Sequence, residues 1–156
     1  MANKVVLGSD LMLFTSNASS GSYKALGAAT SCKLTIQANV LETSSKDSGC
    51  WVAKQVGKLS WNGSSENLFI MADYAELVET MLNRDTIYIQ FATIPEDERT
   101  CEANESADWT VNANGGVFSG EAIITSIDMN AADGENATYS ISLEGVGALT
   151  IKKPTA

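Results

Sequence analysis

The sequence predicts a mainly β protein: a β-sandwich or partly open barrel built on two long hairpins, with one α-helix packed on it. Three observations carry this. First, residues 30–40 alternate strictly, with Cys32, Leu34, Ile36, Ala38 and Val40 on one face and Lys33, Thr35, Gln37 and Asn39 on the other, the period of a half-buried strand. Second, the same alternation returns near the C-terminus, where Tyr139, Ile141 and Leu143 interleave with Ser140, Ser142 and Glu144. Third, only residues 73–85 carry a helical period. Strands followed by one helix and more strands give a layered or barrelled β architecture. At 156 residues the chain suits one domain, 1–156, with a core of its own.

Residues 1–9 are weakly patterned and read as an arm. Asp10–Thr15 is a short apolar strand, and Ser16–Gly27, rich in Ser and Gly, is a loop. The first hairpin spans residues 30–69, its second arm starting near Gly57 with Leu59, Trp61 and Phe69 against Ser60, Asn62 and Ser64. Its connection, of roughly fifteen residues, is longer than a turn requires. At the tip stand Glu42, Thr43, Ser44, Ser45, Lys46, Asp47, Ser48, Gly49, Cys50 and Trp51, a protruding loop of the kind used as a lid or a handle for a partner.

Asp73-Tyr74-Ala75-Glu76 has the form of a capping box. Leu77, Val78, Met81 and Leu82 then make one apolar stripe on a helix of about three turns, closed by Asn83 or Asp85 with Arg84 suited to the dipole. Thr86–Ile94 alternates as a strand. The stretch 95–108 is acidic and aperiodic, an exposed insertion or interaction surface. Trp109–Ala113 is a candidate short strand before the turn Asn114-Gly115-Gly116, and 117–129 and 137–149 form the second hairpin around Asp133-Gly134.

Chemistry is constrained by what is missing. The chain contains no histidine, which removes Ser-His-Asp and Cys-His nucleophile systems and most catalytic zinc and iron sites. Three cysteines, Cys32, Cys50 and Cys101, form no CxxC pair, so they read as reduced thiols. Asp128, Asn130, Asp133, Gly134 and Glu135 approach a calcium loop, but the glycine comes one residue late and no closing glutamate follows. No metal, cofactor or catalytic residue is expected. Acidic residues outnumber basic ones 19 to 10, a balance that repels nucleic acid. There is no secretory segment at the N-terminus and no apolar run long enough for a bilayer, so a cytosolic origin and no membrane span are expected.

The run T-S-C-K-L-T-I-Q with L-E-T-S-S-K-D-S-G-C-W, and the stretch Gly120–Leu149, resemble the major tail tube proteins of long-tailed bacteriophages. The order of helix and strand over Asp73–Ile94 matches as well. The resemblance implies a structural virion protein whose hexameric rings join their inner sheets into one β-barrel. Stacked rings would form a tube that conducts the genome, with the tape-measure, terminator and baseplate proteins as partners. It also implies that Glu42–Trp51 bridges adjacent rings. DNA would then meet a polar lumen face of Lys33, Thr35, Gln37, Asn39, Ser60, Asn62, Ser64, Ser126, Asp128, Ser140, Ser142 and Glu144. The apolar residues opposite, Leu34, Ile36, Leu59, Trp61, Ile127, Tyr139, Ile141 and Leu143, are expected to be core. Alternative readings are a carbohydrate-binding β-sandwich using Trp51, Trp61 or Trp109, a paired-carboxylate hydrolase, a capsid-decoration protein, and a type VI-like secretion tube.

Overall fold

The computed structural model describes residues 5–17, 23–26, 29–95, 109–112 and 114–155. Among the described residues seven strands form one antiparallel sheet: β1 Leu11–Ser16, β2 Lys24–Ala25, β3 Ala29–Glu42, β4 Lys54–Leu68, β5 Ile87–Thr93, β6 Val117–Asn130 and β7 Thr138–Lys152. Their spatial order is β2-β1-β5-β6-β7-β4-β3. The two expected hairpins are β3–β4 and β6–β7, and β4 pairs with β7 to join them. The sheet is not closed by hydrogen bonds. It curls so that β1 touches β3, and Leu13 of β1 shares a core with Cys32 and Leu34 of β3. A partly open barrel results.

Curvature has a local cause. β7 bulges against β6 between the pairs Ser119–Thr150 and Glu121–Val146, and Gly147 there takes φ 77°, a conformation open to glycine at little cost. Trp61, directly beyond Asn62–Glu144 in the β4–β7 register, lies across this bend. Its indole covers Gly145, where a β-carbon would overlap the ring, and a β-carbon built on Gly120 would fall 2.6 Å from Cζ2. Nε1–H donates to the Gly147 carbonyl at 3.2 Å. Trp61 therefore joins β4 to the bend of the other hairpin while burying its whole ring.

The main core gathers Leu13, Ile87, Ile89, Phe91, Ile124, Ile141 and Leu143 around Trp61. A smaller cluster on the opposite face, Phe14, Ala25, Ala92, Ile94 and Val117, is covered by Trp109 and Val111. Residues 109–112 form no strand, contrary to expectation; they act as an irregular strap over this face. The insertion at 96–108, with Cys101, lies outside the described residues, as do residues 1–4 of the arm.

Helix α1 covers Met71–Leu82 and places Leu77 and Tyr74 on the core. It starts two residues before Asp73: Ile70 is the N-cap, without a side-chain cap bond. Asp73 instead sits in the first turn, where a carboxylate suits the dipole, and accepts from Lys24 Nζ at 3.3 Å. The helix ends with Asp85 N–H on Thr80 O and Arg84 N–H on Met81 O, a Schellman closure with Arg84 at φ 60°. Phe69, Tyr74 and Tyr139 seat it through ring contacts at 5.0–6.3 Å. The buried Tyr139 hydroxyl has no hydrogen-bond partner. Burial, with a smaller push from the Asp73 carboxylate, raises its pKa from 10.0 to about 12.

Two outcomes follow from this packing. Gly145→Ala should destabilise by about 1–3 kcal/mol, because the indole has nowhere to retreat; urea unfolding against the wild type measures it. Tyr139 remains protonated in the fold to about pH 12 but ionises near 10.0 when unfolded. Its share of stability is thus complete below pH 10 and lost as pH rises to 12. Tyr139→Phe should flatten the fall in melting temperature over that interval.

Candidate assembly surfaces

Registers show which side chains share a face, since directly opposed residues in an antiparallel ladder point the same way. Lys33, Ser64, Ser142 and Ser126 form one row across four strands. Thr35, Asn62 and Glu144 form the next, and Glu66, Ser140 and Asp128 flank it on the other side. Gln37 and Ser60 extend the face up the hairpin. Asn39 is exposed but sits in a bulge between Ala38 and Val40, outside the paired register. Among the twelve residues expected to share a polar face, then, eleven lie on one continuous surface formed by β3, β4, β7 and β6.

The opposite face corrects the expected core. Trp61, Tyr139, Ile141 and Leu143 are buried, and Leu34 and Ile127 are half-buried against them. Ile36 is 53% exposed and Leu59 70%. The reason is length. β3 and β4 span 14 and 15 residues, and past Trp61 no other described strand pairs with them. Beyond that point the hairpin is bare on both faces, with Val40, Leu41 and Val56 also exposed. Alternation marks an apolar stripe, but it does not say whether that stripe is covered within one chain.

The tip is ordered by short-range polar bonds. Thr43 N–H donates to Ala53 O at 2.8 Å, and Ala53 N–H to Ser44 Oγ at 2.9 Å. Lys46–Ser48 make one 3₁₀ turn, with Ser45 N–H bonded to Ser48 Oγ and Asp47 N–H to Ser45 Oγ, a reciprocal cap. Gly49 takes φ 66°. These bonds hold Trp51, 86% exposed, and Cys50 outward. Such a preset shape presents large apolar surface without a pocket of its own.

Among the unpaired edges of the described strands, two matter for assembly. β3 ends the sheet. β5 pairs with β6 only over Val117–Ala122, so one edge of Ile123–Asn130 is unpaired by any described strand. Long unpaired edges template further pairing. Among the described residues, no group of three or more Cys, Asp or Glu is arranged to hold a metal ion.

A family model described as phage tail tube protein matches residues 5–151. The chain belongs to that family. It is a structural tail tube protein, with the mainly β fold and single helix of its kin. Solved structures agree in fold: the tail of the empty gene transfer agent particle, refined with C6 symmetry, matches with TM-score 0.74 at 20% identity, covering 95% of this chain and 99% of that one. The SPP1 tail tube matches at 0.69 and 15% identity, over 97% and 81%. The anti-feeding prophage baseplate structure matches at 0.66 and 8% identity, over 98% of each chain. No curated protein sequence matches the chain.

Proposed function

We propose that this tail tube protein assembles into hexameric rings that stack into a hollow tube for DNA passage, and that it has no catalytic activity. The observation that carries the reading is the β3–β4 hairpin, apolar yet bare past Trp61, since apolar area of this extent drives association. Strand sense supports ring closure. Along β6-β7-β4-β3 every neighbour is antiparallel, so β3 and β6 run in opposite senses. The β3 edge of one copy therefore meets the free half of β6 in the next as another antiparallel ladder. Repeated around a ring, this heterologous contact covers both the β3 edge and the free half of β6. The C6 symmetry of the gene transfer agent tail favours six copies.

The polar face is the lumen in this arrangement. Of its residues Lys33 is the sole cation, against Glu66, Asp128 and Glu144, so phosphates find little to bind. The Glu42–Trp51 loop projects beyond the ring to the next one. A tape-measure protein occupies the lumen during assembly in the host cytoplasm, and terminator and baseplate proteins close the ends.

Deleting Thr43–Gly49 should leave folded protein that forms no tubes by negative-stain microscopy; tubes of normal length would remove the loop from the joint. Replacing Gln37, Ser142 and Glu144 with Lys should slow genome ejection at low salt from virions with tails of normal length, because each neutralised phosphate adds affinity through counterion release. Unchanged ejection would place these residues away from the channel.

A further inference from the structure

The hairpin tip needs a receiver, and strand polarity limits where it lies. β3, β7 and β5 run in the same sense, so the tip and the ends of β5 and β7 point one way. The beginning of β5 and the end of α1 face the other way. In a head-to-tail stack, the tip of one copy meets this second side of the next. An apolar hollow lined by Leu11, Phe118 and Ile151 lies at the ends of β5 and β7, on the tip's own side, and is ruled out by that polarity.

On the receiving side the outward surface of α1 is uncovered. Leu82 is 76% exposed and Met81 37%. Beside them, between α1 and β5, runs a groove of about 520 Å³ lined by Glu76, Glu79, Asp85 and Tyr88, with no lysine or arginine among its described lining residues. The tip has the complementary character. Although the chain carries net charge −9, residues 42–58 hold Lys46, Lys54 and Lys58 against Glu42 and Asp47. Trp51 and Val52 stand exposed beside them.

We propose that the outward face of α1 and its flanking acidic groove receive the hairpin tip of a second copy of this chain in the adjacent ring. This deepens the ring-and-tube reading above and rests on it. Trp51 and Val52 cover Leu82 and Met81, while Lys46 enters the groove toward Glu79 and Asp85. Desolvated apolar contact supplies affinity, and the opposed charges fix direction: a tip-to-tip encounter would bring lysines together. Stacking is consequently polar, and its rate falls with ionic strength as charges are screened within about 8 Å at physiological salt.

Charge reversal tests the contact in the full-length protein. Lys46→Glu and Glu79→Lys should each leave rings intact while cutting the number of tubes at least tenfold in negative-stain images. The double variant, which restores opposite charges across every joint, should recover tube formation. Asp85→Lys with Lys46→Glu asks the same question should Glu79→Lys fail to fold by circular dichroism. Wild-type tube length in both single variants, or folded ring-forming singles that the double fails to rescue, overturns this receiver. Wild-type protein that makes neither rings nor tubes instead overturns the underlying reading.

Discussion

The structure depends on one aromatic plate that rests on two glycines and bonds to the carbonyl of a third. Trp61 belongs to the first hairpin, yet Gly145 and Gly120, over which its indole lies, and Gly147, whose carbonyl takes its N–H, belong to the second. Glycine at 120 and 145 brings backbone and ring into van der Waals contact, where any side chain would hold them apart. Full burial of a tryptophan contributes several kcal/mol, and its polar edge is satisfied at the bulge that bends β6–β7. Without the bend, the strands would continue as a flatter ribbon, and Leu13 would not reach Cys32 and Leu34. Closure of the core and curvature of the sheet thus have a common origin.

A second consequence is where the core stops. Trp61 is the last buried residue on its face as β4 is traced back toward the tip; Leu59, two residues away, stands in solvent. Everything from there to Trp51 is ordered by ladder bonds and a polar cap but not by burial. A two-stranded ribbon is marginal in water when it stands alone. Here it is anchored at one end by the body, and its apolar stripe is left for intermolecular use. The chain is in this sense an incomplete barrel: its strands are longer than its own core can cover, and the free edges of β3 and β6 run in opposite senses, as an antiparallel pair requires.

Charge is distributed along with shape. The broad polar face carries hydroxyls and amides with few ions, whereas carboxylates gather near α1 and lysines near the tip. Hydroxyls and amides carry no fixed charge, and the neighbouring Thr125 hydroxyl is satisfied by the Ser142 backbone carbonyl at 3.1 Å. A surface of that kind resists both aggregation and tight phosphate binding. Ends of opposite character, by contrast, favour contacts between copies in one orientation.

The sequence by itself determined the strands, their two faces and the helix, because periods of 2 and 3.6 are local properties of a chain. It also marked the hairpin tip, through a run of small polar residues too long for a turn. Eleven of the twelve polar-face residues could be grouped from alternation alone, and Asn39 escaped because a bulge shifts register without any sign in composition. The start of α1 was read at Asp73 from a capping box, but the aromatic contacts of Phe69, Tyr74 and Tyr139 draw the helix back to Met71. Only tertiary structure decided that Ile36 and Leu59 lie outside the core, that residues 109–112 are a strap, and that β6 has a free half. Each depends on how far one element extends past another. Apolar alternation records that a stripe needs covering; whether the cover comes from the same chain or from another copy is a matter of relative length, which appears once the strands are in register.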